Sequence, residues 1–286
     1  MNFKLEKFAD RKPGVKSVSI SGHIGEFLQG RLAQSGPLAL VTLPTPMPVV
    51  RVTCQMKREF SVHFASGTQT VTHSQIAGLI RRLTNGPAFG NWLVQSMIPP
   101  GSGGGTSTAT LLGVAQLVRN ETSDQLARNI HAAEGASDPL MYSTPERLLW
   151  APRQGKIICQ LPKLPRFDVI AGLQGEATRT DPHDLNFADI SDLVPLWISA
   201  CEIGDLPELG RLASQSAQRN LALRGGPPLQ PLLEIGQRNG AVGIAIAHTG
   251  SARALLFTPG AGDKNKAELD IRQIGLKSIR RFTLGD

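Results

Sequence analysis

Ile98-Pro99-Pro100-Gly101-Ser102-Gly103-Gly104-Gly105-Thr106-Ser107-Thr108-Ala109 is the stretch on which the rest of the chain turns. Upstream, Trp92 to Ile98 reads as a buried strand. Downstream, Leu111, Leu112, Ala115 and Val118 place one apolar stripe on a helix predicted over 106–118. The order is therefore strand, glycine loop, helix. Glycines let a backbone take positive φ and come close to a ligand. The free N–H groups and the dipole at the helix start favour an anion. The hydroxyls of Thr106, Ser107 and Thr108 can bond phosphate or coordinate Mg²⁺. No lysine lies between Pro99 and Arg119, which excludes a Walker loop, and Thr106 stands where the dinucleotide fingerprint needs its third glycine. A flexible linker would not sit between a strand and an apolar-striped helix.

Three further stretches carry chemistry-bearing residues. Val15 to Ile20 alternates like a strand and runs into Ser21-Gly22-His23-Ile24-Gly25-Glu26-Phe27-Leu28-Gln29-Gly30. Three glycines around Glu26 and Gln29 suit either a backbone held close to a ligand or a plain turn between strands. A helix is predicted over 123–133 with Ser123 as N-cap. It ends in Glu134-Gly135-Ala136-Ser137-Asp138. Phosphoryl transfer needs a metal ligand, phosphate donors and a group that orients or deprotonates the hydroxyl. Glu134 and Asp138 can supply the first and the third, or be two solvated acids in a C-cap loop. Finally, strands over 242–247 and 253–257 flank His248-Thr249-Gly250-Ser251, which is at its simplest a hairpin turn.

Taken together these stretches resemble the three motifs of the galacto-, homoserine, mevalonate and phosphomevalonate (GHMP) kinases, in the right order from Gly22 to Ser251. Gly103 to Ala109 is similar to motif 2, with Thr106 for its first serine and Gly104 for a larger apolar residue. Gly25-Glu26-Phe27-Leu28-Gln29-Gly30 is similar to motif 1 in the form found in the L-threonine kinases of cobalamin synthesis and propanediol utilisation. Gly240 to Ser251 is similar to motif 3 of the same kinases. Ser137-Asp138-Pro139 fits their Glu-Pro-Thr-Asp segment, although Gly135 takes the place of its glutamate. Thr110 stands where those kinases usually carry aspartate.

The resemblance implies an α+β fold of two lobes. The N-terminal lobe, 1–160, would be similar to domain 2 of ribosomal protein S5, and the C-terminal lobe, 161–286, would be ferredoxin-like. It implies ATP and Mg²⁺, with Pro100 to Thr108 on the nucleotide and Thr106 and Glu134 on the metal. Asp138 would be the base or orienting group. His23, Glu26, Gln29, His248, Thr249 and Gly250 would face the acceptor. The expected reaction is phosphorylation of an amino-acid hydroxyl, L-threonine first, with serine, homoserine or another small alcohol as alternatives; the displaced glutamate and Thr110 leave a catalytically silent ATP- or nucleic-acid-binding relative as the other reading.

Composition sets the outer limits. A chain of 286 residues suits one large domain or two small ones sharing a cleft. The net charge of +7 permits nucleic-acid partners, but no basic residues interleave with aromatics as a single-strand platform requires. A small-molecule substrate is expected instead, and a homodimer stays open. Cys54, Cys159 and Cys201 form no C-x-x-C pair and read as reduced residues of a cytoplasmic protein. The N-terminus lacks the apolar core of a signal peptide, and no apolar run is long enough to span a membrane. Asp181, His183 and Asp184 match no standard metal spacing and read as surface loop, with lining of the cleft as the alternative. Strands are predicted over 38–43, 49–54 and 59–64, with Pro44, Pro46 and Pro48 as breaks.

Overall fold

The computed structural model describes residues 14–65, 68–178, 181, 183–184, 186–248 and 251–286. Among these residues, ten strands and seven α-helices follow one another. They are β1 (Val15–Arg31), β2 (Leu38–Gln55), β3 (Phe60–Phe64), α1 (His73–Thr84), β4 (Gly90–Ser96), α2 (Thr106–Val118), α3 (Ser123–Glu134), β5 (Leu148–Ala151), β6 (Lys156–Gln160), β7 (Phe167–Leu173), α4 (Leu193–Ile203), α5 (Leu206–Arg224), α6 (Gln230–Arg238), β8 (Gly243–Ile246), β9 (Ala252–Phe257), α7 (Lys264–Gln273) and β10 (Lys277–Leu284). One sheet runs through the molecule in the order β10-β7-β9-β8-β1-β2-β4-β3, with β5 and β6 branching from β2.

Two long strands form the backbone of the N-terminal half. The prolines expected to break 38–54 lie inside a single strand, β2. Its ladder with β1 absorbs them through register shifts between Ile20 and Leu28, where Pro48 faces Ser21 and Pro44 faces His23. Proline gives no donor to a ladder, so it is tolerated where bulges interrupt pairing. Bulges also re-aim side chains, and here they fall on the segment that carries His23 and Glu26. From Gly22 to Gly30, β1 is buried on both faces, so it shows no alternation.

The glycines of β1 serve contact between backbones rather than the ligand approach considered from the sequence. A Cβ on Gly22 would lie 2.2 Å from the carbonyl oxygen of Gly104. One on Gly25, at φ 78°, would lie 2.5 Å from the Ile246 carbonyl carbon, and one on Gly30 would lie 2.4 Å from the Ala188 oxygen. These close approaches bring the glycine loop and β8 against β1.

Three apolar clusters hold the layers. Helices α1, α2 and α3 pack on the N-terminal strands around Trp92, Ile80 and Leu111. Helices α5, α6 and α7 cover β7, β8 and β9 around Phe257, Leu232 and Ile271. The third cluster joins both halves of the chain. Phe27 of β1 meets Trp197 of α4 with ring centroids 5.2 Å apart, and Phe167 of β7 at 6.0 Å. Among the described residues β1 meets β8 at one rung, Glu26 opposite Ile246, and a separate bridge joins Arg31 to Asp189. Thr122, one residue before the expected Ser123, caps α3 in a capping box with Gln125.

Candidate active site

The glycine loop is held from outside by its carbonyls. Gly101 O accepts from Thr178 N, Ser102 O from Ser251 N and Ala252 N, Gly103 O from Gly25 N, and Gly104 O from His23 N. In a planar trans peptide the C=O and the following N–H point in opposite directions. With four successive carbonyls turned into the protein, the amides of Gly103, Gly104 and Gly105 turn the other way. Gly101, Gly103 and Gly105 supply the left-handed conformations that this path requires, at φ 82°, 81° and 68°. The loop then enters α2 with Gly105 as N-cap, no side-chain cap and no acid in the first turn. The first amides of a helix have no intrahelical partner. Loop and helix start together make a concave set of donors for an anion.

A cleft of about 300 Å³ lies over this loop. Pro100, Gly101, Gly103, Gly104, Gly105, Thr106, Ser107 and Thr108 line it, with His23, Glu26, Glu134, Asp138 and His248. Two of the residues expected in the site do not line it. Ser102 is buried, and its contribution is the carbonyl just described. Gln29 is buried with its Nε2 donating to Ile246 O at 2.9 Å, while its N–H donates to Ser216 Oγ. It ties β1 to β8 and α5. Replacing Gln29 with alanine should therefore cost about 1–3 kcal/mol of stability through the orphaned carbonyl, with the acceptor KM unchanged. Denaturant unfolding beside steady-state kinetics checks both halves. Thr249 and Gly250 lie outside the described residues.

Two carboxylates frame the helix start. Helix α3 ends at Glu134, and Gly135 is its C-cap at φ 79°, a conformation that glutamate would resist. That accounts for the shifted position of the acid. Glu134 accepts from Ser107 Oγ at 2.5 Å and Thr108 Oγ1 at 2.6 Å. Burial pushes its pKa up to about 8 against those two hydrogen bonds. No cation pairs with it among the described residues. One carboxylate and two hydroxyls make an oxygen donor set of the kind Mg²⁺ takes, so Glu134, Ser107 and Thr108 fit that ion. Thr106 lines the cleft beside them, and its own side chain makes no hydrogen bond to Glu134 among the described residues.

Asp138 sits three residues beyond Gly135. Its N–H donates to Thr108 Oγ1 at 3.1 Å, and its Oδ2 lies 3.2 Å from His23 Nε2. The other nitrogen of His23 lies 3.4 Å from Glu26 Oε1. Burial lowers the His23 pKa, but the flanking Asp138 and Glu26 charges outweigh it and lift the group to about 9. Burial raises Glu26 to about 8 against the pull of His23. Burial also raises Asp138, but His23 and the Thr108 bond hold it below the usual carboxylate range. His23, Glu26 and Asp138 bring three metal-ligating side-chain types together. The three form one charge-coupled triad, with His23 between the two acids.

The triad makes stability pH-dependent in a defined direction. His23 and Glu26 bind protons more tightly folded than unfolded, so their contribution is complete below their ordinary values and lost as pH rises through about 8 and about 9. Asp138 acts oppositely and loses its contribution only in acid. Tm should fall between pH 6.5 and 9, and His23→Gln should flatten the upper part of that fall. A wild-type Tm constant across this range would overturn the charge assignment.

The far wall comes from segments that no motif marked. Arg153 follows β5, and Thr178 and Phe187 come from the segment read as surface loop. Phe187 stacks on His248 at 4.3 Å and 9°, with the Arg224 guanidinium 4.6 Å over its ring. Burial, then Arg224 and Arg153, lowers His248 to about 3, so it is neutral. Asp184 pairs with Arg224 at 2.6 Å, and Asp181 O accepts from Arg153 Nη2 at 2.8 Å. Sequence reasoning missed these residues because a lone arginine after a short strand and a lone phenylalanine in a polar loop carry no spacing signal.

No family model matches the sequence, and neither does any curated protein. Solved structures match closely in shape. Mevalonate kinase from methicillin-resistant Staphylococcus aureus MRSA252 aligns over 96% of this chain and 99% of its own, with TM-score 0.59 and 16% identity. Homoserine kinase from Cytophaga hutchinsonii ATCC 33406 covers 96% of both chains, with TM-score 0.62 and 13% identity. Phosphomevalonate kinase from Streptococcus pneumoniae aligns over 95% of this chain and 99% of its own, with TM-score 0.63 and 12% identity. The chain has the α+β fold that these small-molecule kinases share. No helix among the described residues is long and apolar enough to cross a membrane.

Proposed function

We propose that this chain is an ATP-dependent kinase that phosphorylates the hydroxyl of a small amino acid, L-threonine first among them. The observation that carries the proposal is the glycine loop, whose carbonyls from Gly101 to Gly104 are turned into the protein and whose amides continue into an uncapped helix start. That donor set suits the phosphates of a nucleotide. Glu134, Ser107 and Thr108 would hold Mg²⁺, which would supply charge neutralisation at the phosphates. Asp138 receives the proton of the acceptor hydroxyl or orients it, and His23 keeps Asp138 ionised from behind. A dissociative transition state asks little of the base, so a carboxylate of low pKa suffices. The two-lobe division at 160/161 belongs to the same proposal. The residues that line the cleft come from both parts, and the sheet passes between them at Glu26 and Ile246. Preference for threonine over serine, homoserine or another amino alcohol rests on the motif 1 resemblance of Gly25 to Gly30.

The test is ADP release with Mg-ATP across L-threonine, L-serine, L-homoserine and their amino alcohols. Release above the water background, highest with threonine, is expected. A stronger signal with another acceptor would reassign the substrate, and no release with any of them would overturn the kinase.

A further inference from the structure

We infer that Arg153 binds the carboxylate of the acceptor and makes this site selective for hydroxy acids over carboxylate-free alcohols; the assignment rests on the kinase proposed above. Arg153 lines the cleft on the turn after β5. Its one hydrogen bond among the described residues runs from Nη2 to a neutral acceptor, the Asp181 carbonyl oxygen at 2.8 Å. Its Nε is buried without a partner. No side-chain carboxylate lies within ion-pair distance of it among the described residues, whereas Arg224 on the same wall has Asp184. Asp184 and Asp181 act on it only from beyond ion-pair distance, and Asp184 is already paired with Arg224, so a half-buried guanidinium without a direct anion partner gains from a ligand that brings the charge.

Two anions could reach the cleft, a phosphate or a carboxylate. The phosphates already have the loop amides and the start of α2. Arg153 is tied to Asp181 in the segment whose Phe187 stacks on His248, whereas Glu134 is held by Ser107 and Thr108 at the start of α2. It therefore belongs to the wall that carries His248 and not to the metal-ligand pair. Beside it, the neutral His248 has a buried Nδ1 with no partner, a second polar atom for the same ligand. Planar guanidinium and carboxylate match in shape as well as charge. Glu26 and Asp138 line the same cleft. The cleft thus offers acids as well as the Arg153 cation, which suits a zwitterion better than an uncharged alcohol.

The test compares wild type, Arg153→Gln and Arg153→Lys on L-threonine and on 1-amino-2-propanol, its carboxylate-free counterpart, with KM for ATP measured for each. Arg153→Gln should raise the threonine KM by about 10- to 100-fold, the range of one charge-assisted hydrogen bond. The KM for ATP and the rate on 1-amino-2-propanol should stay as in wild type, and Arg153→Lys should recover part of the loss. Equal losses on both acceptors, or a raised KM for ATP, would place Arg153 on the phosphates and overturn the assignment. Thermal melts show whether each variant folds. Should Arg153→Gln not fold, Arg153→Lys decides on the same split. If no acceptor is phosphorylated by wild type, the kinase proposal fails separately. Calorimetric binding of L-threonine then decides this one, lost in Arg153→Gln if the assignment is right and unchanged, or absent from wild type, if it is wrong.

Discussion

Asp138→Asn should lower kcat by about 10²–10⁴-fold, the range of general-base assistance, while ATP binds as before. The substitution keeps the size of the side chain and its N–H bond to Thr108, so the turn after α3 keeps its path. What disappears is the negative charge 3.2 Å from His23 Nε2. Two consequences follow together. The acceptor hydroxyl loses its proton acceptor, and His23 loses the larger of the two charges that lift its pKa to about 9. NMR titration of His23 should therefore move down in the same variant that loses turnover. A loss near the lower figure still fits, because a dissociative transition state draws little on the base. Turnover near wild type on the best acceptor would remove Asp138 from the chemistry and leave Glu26 as the nearest alternative.

Gly105→Val is the second large effect. Gly105 is the N-cap of α2 at φ 68°, a conformation that costs a β-branched residue about 1–2 kcal/mol or more. Space is as tight as conformation. A Cβ there would lie 2.7 Å from His23 Cδ2 and 2.9 Å from both His23 Nε2 and Asp138 Oδ2. One glycine thus serves the phosphate loop and the triad together. The variant should lose ATP affinity by 10-fold or more, at about 1.4 kcal/mol per decade, and lose kcat besides. Gly103→Val, at φ 81° in the same loop, should lose ATP affinity with a smaller effect on kcat. Calorimetric ATP titration with a thermal melt as a folding control measures this, and unchanged affinity in a folded Gly105→Val would remove the loop from nucleotide binding.

The sequence made most elements of this fold readable, and the exceptions have physical causes. Helix α2 was legible residue by residue, because a single apolar stripe follows a glycine run. Strand β2 was not, because Pro44, Pro46 and Pro48 are local breakers and the bulges that accommodate them belong to β1, a separate stretch of chain. Strand β5, Leu148–Ala151, escaped notice, being four buried apolar residues without alternation. In the candidate site, the loop, Glu134 and Asp138 could be named from motif spacing. The partnership of His23 with Asp138 could not, since 115 positions of chain separate a bulge in β1 from the turn after α3. Gln29 shows the converse. Its place in a motif drew it toward the substrate, whereas its amide spends its donor on Ile246. Arg153 and Phe187 become significant only once tertiary structure places them opposite the acids.

The carbonyl clamps on the glycine loop bear on how this protein could be divided. All of the loop's own residues lie in the first 160 positions, but three of its five clamping donors, Thr178, Ser251 and Ala252, lie beyond them. A fragment ending at 160 would carry the whole glycine stretch without the contacts that turn Gly101 O and Ser102 O away from the cleft. Nucleotide binding would then arise only by complementation, when the 161–286 fragment is added and docks. The glycine loop is contiguous in the chain and yet held from both halves of it, so during synthesis its clamps are completed late, after the segment around Ser251 has been made and has paired.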